Sequence, residues 1–154
     1  MQKKIITNSA KETQNLGENL ALRLYSGQAK EIKNRKSAVV FGLQGNLGGG
    51  KTTFLQGFAK GLGVKEKILS PTFAIMKRFV IVKKSFKNFY HIDCYRIKNE
   101  KDILEMGLKE IILDSKNIVA IEWSERVKKI LPKSTIVIRF DFIDKKKREI
   151  NFKM

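Results

Sequence analysis

The chain has 154 residues, 42% of them hydrophobic, with one cysteine, 32 Lys+Arg against 15 Asp+Glu and a formal charge of +17. That length suits one domain with a real core and is short for two, so residues 1–154 are read as a single domain. A lone Cys94 excludes an internal disulfide, no apolar run approaches membrane-spanning length and the first residues lack a signal-peptide core, so the expected location is the reducing cytoplasm, without membrane contact.

Lys3 to Thr7 reads as a short strand. Ser9-Ala-Lys-Glu12 has the form of a capping box, with Ser9 as N-cap and Glu12 reaching back. The helix that follows carries Leu16, Leu20 and Leu24 on one face and ends near Gly27. Glu31 to Lys36 is a basic connector, and Ser37-Ala-Val-Val-Phe-Gly-Leu43 is nearly continuous apolar sequence, as a buried parallel strand requires.

Gly45-Asn46-Leu47-Gly48-Gly49-Gly50-Lys51-Thr52 then fits G-x-x-x-x-G-K-[ST], the phosphate-binding P-loop. Glycines let the backbone wrap a phosphate with its N–H groups inward. Lys51 is placed to reach the β/γ-phosphates, the Thr52 hydroxyl to take a position on Mg²⁺, and the helix after it to point its positive end at the same anion. Phe54, Leu55, Phe58, Ala59 and Leu62 share one face of that helix, and Gly61 and Gly63 stop it.

Phe73 to Val82 and Asn88 to Asp93 read as strands joined by the polar turn Lys83 to Lys87, hence a hairpin. Asn99 to Met106 looks helical, Asn117 to Trp123 is another apolar strand, and Thr135–Phe140 with Arg148–Phe152 suggest a last hairpin turning near Asp144. The implied fold is a three-layer α/β P-loop NTPase, with helices flanking a mixed parallel/antiparallel central sheet.

A P-loop enzyme needs an acid at the tip of a neighbouring strand to hold Mg²⁺ directly or through water. Ile118-Val-Ala-Ile-Glu122 and Phe89-Tyr-His-Ile-Asp93 both end in one, which makes Asp93 and Glu122 the candidate catalytic and metal-positioning residues beside Lys51 and Thr52. His91 reads as packed or hydrogen-bonded, Cys94 as a small buried hydrophobe, and Trp123 as either core or a cover over the site. The basic residues are spread over Lys77–Lys87, Lys98–Lys101, Lys128–Lys133 and Lys145–Arg148, without an aromatic-interleaved RNA-binding signature. Lysine-rich composition is the preferred account of them, with contact with a polyanionic partner as the alternative.

Gly45-Asn-Leu-Gly-Gly-Gly-Lys-Thr-Thr53, Ser70-Pro-Thr-Phe73, His91-Ile-Asp-Cys-Tyr-Arg96 and Ile121-Glu-Trp-Ser-Glu125, in this order and spacing, resemble the TsaE (YjeE) family, over nearly the whole chain. The resemblance implies an ATPase supporting the threonylcarbamoyladenosine (t6A) modification of tRNA with TsaB and TsaD, using ATP and Mg²⁺. It implies that Gly45 to Thr53 cradle the nucleotide, that Trp123 borders it, and that the segment from Thr7 to Thr13 lies near the base. Thr72 falls in a segment resembling a switch loop. Two positions depart from the pattern: Asn46 stands where the family usually has Asp, removing a charge, and Gly49 where Ala is usual. The competing reading is a small-molecule P-loop kinase, which needs an acceptor pocket and usually an Arg-rich lid; the region 124–134 holds one Arg, Arg126. No Asn-Lys-x-Asp motif reads guanine.

Overall fold

The structure is a computed structural model, and it describes residues 2–29, 32–71, 74–83 and 85–153. In chain order the principal elements are β1 (Gln2–Thr7), α1 (Ala10–Tyr25), β2 (Val39–Gln44), α2 (Lys51–Gly61), β3 (Met76–Lys83), β4 (Phe86–Asp93), α3 (Glu100–Leu104), α4 (Leu108–Leu113), β5 (Asn117–Glu122), the 3-10 segment Ser124–Ile130, β6 (Ile136–Phe142) and β7 (Arg148–Lys153).

Among the described residues the strands form one sheet in the order β1-β7-β6-β2-β5-β4-β3. The central pairs β6/β2, β2/β5 and β5/β4 are parallel, while β1/β7, β7/β6 and β4/β3 are antiparallel. β5 is buried at every position, as a strand covered on both faces must be, and its sequence Asn-Ile-Val-Ala-Ile-Glu lacks alternation for that reason. The mixed sheet and both hairpins match the expectation from sequence.

Two cores lie on opposite faces of the sheet. One joins α1 and α2 to the sheet through Leu24, Phe41, Phe54, Phe58, Phe89 and Phe140, with Phe54 edge-on to Phe140 at 5.4 Å between ring centroids. The other packs Ile103, Leu108, Ile112 and Val127 against Val40, Ile92, Val119 and Ile121. α1 and α2 approach so closely that a Cβ on Gly57 would collide with the Gln14 carbonyl, and one on Gly17 with that of Phe54. On the face opposite the helices of the first core, Lys4, Arg139, Asp141, Glu149 and Lys153 line an open cleft over β1, β7 and β6.

Several boundaries move. The predicted strand 37–43 starts at Val39, because the Ala38 N–H leaves the sheet to donate to the Ile112 carbonyl at 2.8 Å. The helix expected over 99–106 is the shorter α3, and α4 and the 3-10 segment are additions. Ser9 does cap α1, accepting the Glu12 N–H at 3.1 Å, while the Glu12 carboxylate reaches one residue further back than the capping-box pattern, to the Asn8 N–H. Thr72 and Phe73 of the switch-like segment, Glu31 of the connector and Lys84 of the β3–β4 turn lie outside the described residues.

Candidate active site

Because β4, β5 and β2 are parallel, their carboxyl ends lie along one edge of the sheet, the edge where open α/β sheets take ligands. In register, Asp93 pairs with Glu122 across β4/β5, and Glu122 with Leu43 across β5/β2, just before the P-loop. Two acids and a Gly-rich turn are thereby brought together by strand pairing alone.

The turn ends at Gly50, whose φ of 99° is a left-handed conformation that a side chain would resist, and α2 begins at Lys51. No side chain caps this helix, and Gly50, Lys51, Thr52 and Thr53 at its start line the pocket. That is the arrangement by which helix ends hold phosphate.

A cavity of about 490 Å³ opens here, lined among others by Thr13, Leu47, Gly48, Gly49, Gly50, Lys51, Thr52, Thr53, Asp93, Glu122 and Trp123. Of the residues expected from sequence, Gly45 and Asn46 are not in its wall. Their carbonyls instead accept hydrogen bonds from the Lys51 ammonium, that of Asn46 at 3.0 Å. Lys51 is only 6% exposed, and its Nζ stands 4.4 Å from the centre of the Trp123 ring. Burial pushes its pKa down, and the carboxylates of Glu122, Glu125 and Asp93 oppose that shift. Its charge is thus held by carbonyl dipoles, an aromatic face and nearby acids.

Thr52 donates through Oγ1 to Glu122 Oε1 at 2.7 Å. Glu122 is 2% exposed, and its other oxygen lies 3.7 Å from His91 Nε2. Both ring nitrogens of His91 are buried without a hydrogen-bond partner, so it packs in the interior with Nε2 near the Glu122 carboxylate. Asp93 accepts the Ser70 hydroxyl at 2.6 Å and the Tyr95 N–H at 2.9 Å, which fixes both its oxygens. Thr13 shares a 2.7 Å hydrogen bond with Thr7, tying the start of α1 to the end of β1 beside the cavity.

Trp123 packs against the second core and also lines the cavity. Its backbone takes φ 58°, ψ 40°, a strained conformation for a bulky residue, of a kind that clusters at functional sites. Its ring packs 5.0 Å from that of Tyr95, with the Arg126 guanidinium near both.

Sequence reasoning assigned no site role to several wall residues: Tyr95, Lys145, Lys146 and Arg148. The run Lys145-Lys-Lys-Arg148 was visible as charge. Its position was not, because it depends on β6 joining β2 in parallel.

The family model for the threonylcarbamoyl adenosine biosynthesis protein TsaE matches residues 7–150. The chain belongs to the TsaE family. The TsaE protein of Treponema pallidum is 38% identical over 108 residues, covering 70% of this chain and 76% of the relative. That of Rickettsia typhi is 35% identical over 147 residues, covering 95% and 91%. Among solved structures, the crystal structure of Bacillus subtilus YdiB superposes with a TM-score of 0.71 at 30% identity, covering 99% of this chain and 84% of that one. The four sequence blocks of the TsaE resemblance therefore mark a true family relationship, and the α/β P-loop fold goes with it. No described helix is long and apolar enough to cross a membrane.

Proposed function

We propose that this chain is a Mg²⁺-dependent ATPase of the cytoplasm that supports t6A modification of tRNA together with TsaB and TsaD. The family assignment supports the pathway. The observation that carries the chemistry is the convergence of an uncapped helix N-terminus, Lys51, Thr52 and two strand-end acids on one cavity.

In this reading the N–H groups at the start of α2 bind the β-phosphate region, and Lys51 leaves the Gly45 and Asn46 carbonyls to pair with the β/γ-phosphates. Without substrate, those carbonyls and the Trp123 ring hold the lysine in its place. Thr52 Oγ1, Glu122 and Asp93 would hold Mg²⁺, directly or through water. They present hard oxygen donors, the ligand class that ion takes, and among the described residues no group of three or more His, Cys, Asp or Glu side chains forms a complete metal cage. That suits an ion that takes only one or two protein carboxylates and fills its shell with phosphate and water. The ion supplies neutralisation of charge on the phosphate oxygens. Thr52, now hydrogen-bonded to Glu122, would turn its hydroxyl to that role, and one of the two strand-end acids, Glu122 or Asp93, would orient the attacking water.

Nothing favours the kinase alternative. The region 124–134, where a lid was sought, holds the 3-10 segment with Ser124 and Val127 buried against the sheet. ATP is preferred over GTP in this reading, for want of a guanine-reading motif.

The test is a steady-state phosphate-release assay of the chain alone, with TsaB and TsaD, and with both plus tRNA. Slow hydrolysis alone and faster hydrolysis with partners is the expected result. Transfer of phosphate to a small metabolite, or a fast rate indifferent to partners, overturns it.

A further inference from the structure

We infer that the turn of the β6–β7 hairpin is a second, cationic wall of the nucleotide site, on which Lys145 and Lys146 bind the phosphate chain of a nucleoside di- or triphosphate. This rests on the nucleotide reading of the P-loop cavity and adds a binding element to it. The argument starts from strand order. β2, which leads into the P-loop, has β5 on one side and β6 on the other, and both run parallel to it. The carboxyl end of β5 delivers Glu122, with Asp93 beyond it on β4. The carboxyl end of β6 delivers the hairpin turn, whose Lys145, Lys146 and Arg148 line the same cavity. The P-loop therefore lies between an acidic flank suited to a metal ion and a basic flank suited to the anion itself.

The basic flank is built rather than loose. Arg148 Nε donates to the Gly48 carbonyl at 2.9 Å, and its Nη1 donates to the carbonyls of Asp144 and Lys147. Its aliphatic stem lies 3.6 Å from where a Cβ on Gly50 would stand. The Asp144 carboxylate accepts the N–H groups of Lys146 and Lys147, both at 2.8 Å, and those bonds hold its pKa below the usual carboxylate value. Arg148 thus makes three hydrogen bonds to backbone carbonyls and ties the turn to the P-loop. Lys145 and Lys146 remain exposed at the cavity, in a run of four cations that repel one another until an anion arrives.

The test uses the whole chain and equilibrium binding followed by the fluorescence of Trp123, the only tryptophan. In the double variant Lys145→Gln/Lys146→Gln, Kd for ATP and ADP should rise about fivefold to tenfold, the scale for two exposed charges on an anion, with a shallower salt dependence. Adenosine, which has no phosphate, should bind as before. Asp144→Ala, which frees the turn, should move Kd for ATP in the same direction. The control Lys109→Gln/Lys133→Gln removes the same charge outside the cavity and should change Kd less than twofold. The proposal is overturned if the hairpin variant binds ATP as the parent does while Lys51→Ala does not, or if the control loses as much affinity. Normal ATP binding by Lys51→Ala removes the P-loop reading first, and the hairpin proposal with it.

Discussion

Lys51 holds a charge where little water reaches it, and it does so with the Gly45 and Asn46 carbonyls in place of a phosphate. Removing it should weaken ATP binding and abolish turnover together. Asp93→Ala and Glu122→Ala should instead keep nucleotide binding, since Lys51 and the helix amides remain, and lose about a hundredfold or more in Mg²⁺-dependent hydrolysis. A binding titration beside an initial-rate assay separates the two patterns; normal hydrolysis by both acid variants would show the acids to be misassigned. Cys94, next to Asp93, is governed by burial. Burial first, then the Asp93 charge, push its thiol up to about 12 from an ordinary 9.0. At pH 8 the folded chain should react slowly with iodoacetamide, and quickly once unfolded in denaturant. The linkage has a definite sign: the folded value exceeds the unfolded one, so stability is intact below about pH 9 and falls as pH climbs toward 12. Tyr25, raised by burial from 10.0 to about 12, adds to the same alkaline loss. The difference in urea midpoint between the parent and Cys94→Ala at pH 7, 9 and 10.5 isolates the thiol's share, and a parent advantage that grows with pH contradicts it.

Among the elements, the α1–α2 pair is the most tightly specified, because Gly57 meets the backbone of Gln14, and Gly17 that of Phe54. A methyl group at Gly57 must push one helix off the other, and overpacking of this kind costs about 1–3 kcal/mol. Gly57→Ala should therefore lower Tm by several degrees, read by calorimetry, although alanine is the better helix former. The elements that sequence made legible are those with a motif or a long period. β2, the P-loop and α2 were readable in order, and Asp93 and Glu122 were readable as acids closing apolar strands. α4 was not: it has six residues, of which Leu108 and Ile112 are buried, too few for a periodicity to show. The 3-10 segment after Trp123 was hidden for a different reason. It opens on a residue at positive φ, a conformation set by the packing around it and not by its own preference. The hairpin turn near Asp144 was legible locally, yet its place in the cavity wall was not. That placement comes from the β6/β2 pairing between Phe41–Gln44 and Ile136–Arg139, nearly a hundred residues apart, and a single sequence does not reveal such pairings.

At the scale of the whole molecule, +17 on 154 residues is a standing repulsion. The ion pairs Lys4–Glu149, Lys60–Glu18, Lys77–Glu66 and Arg139–Asp141 lie toward the surface, where each is worth about 1 kcal/mol or less. Self-repulsion should outweigh them. Raising salt from about 0.02 M to about 0.3 M, which shortens the screening length several-fold, should then raise Tm. A Tm that falls with salt would mean that the ion pairs dominate. The sheet order has a mechanical consequence as well. β1 and β7 are antiparallel neighbours, with Gln2 opposite Lys153, so the two ends of the described chain sit side by side on an edge of the sheet. A force pulling residues 2 and 153 apart loads the rungs of that ladder one after another, as a zipper, and never all at once in shear. The chain should yield first by peeling β1 from the edge at low force, while the P-loop end of β2, three strand pairings in from that edge, stays shut.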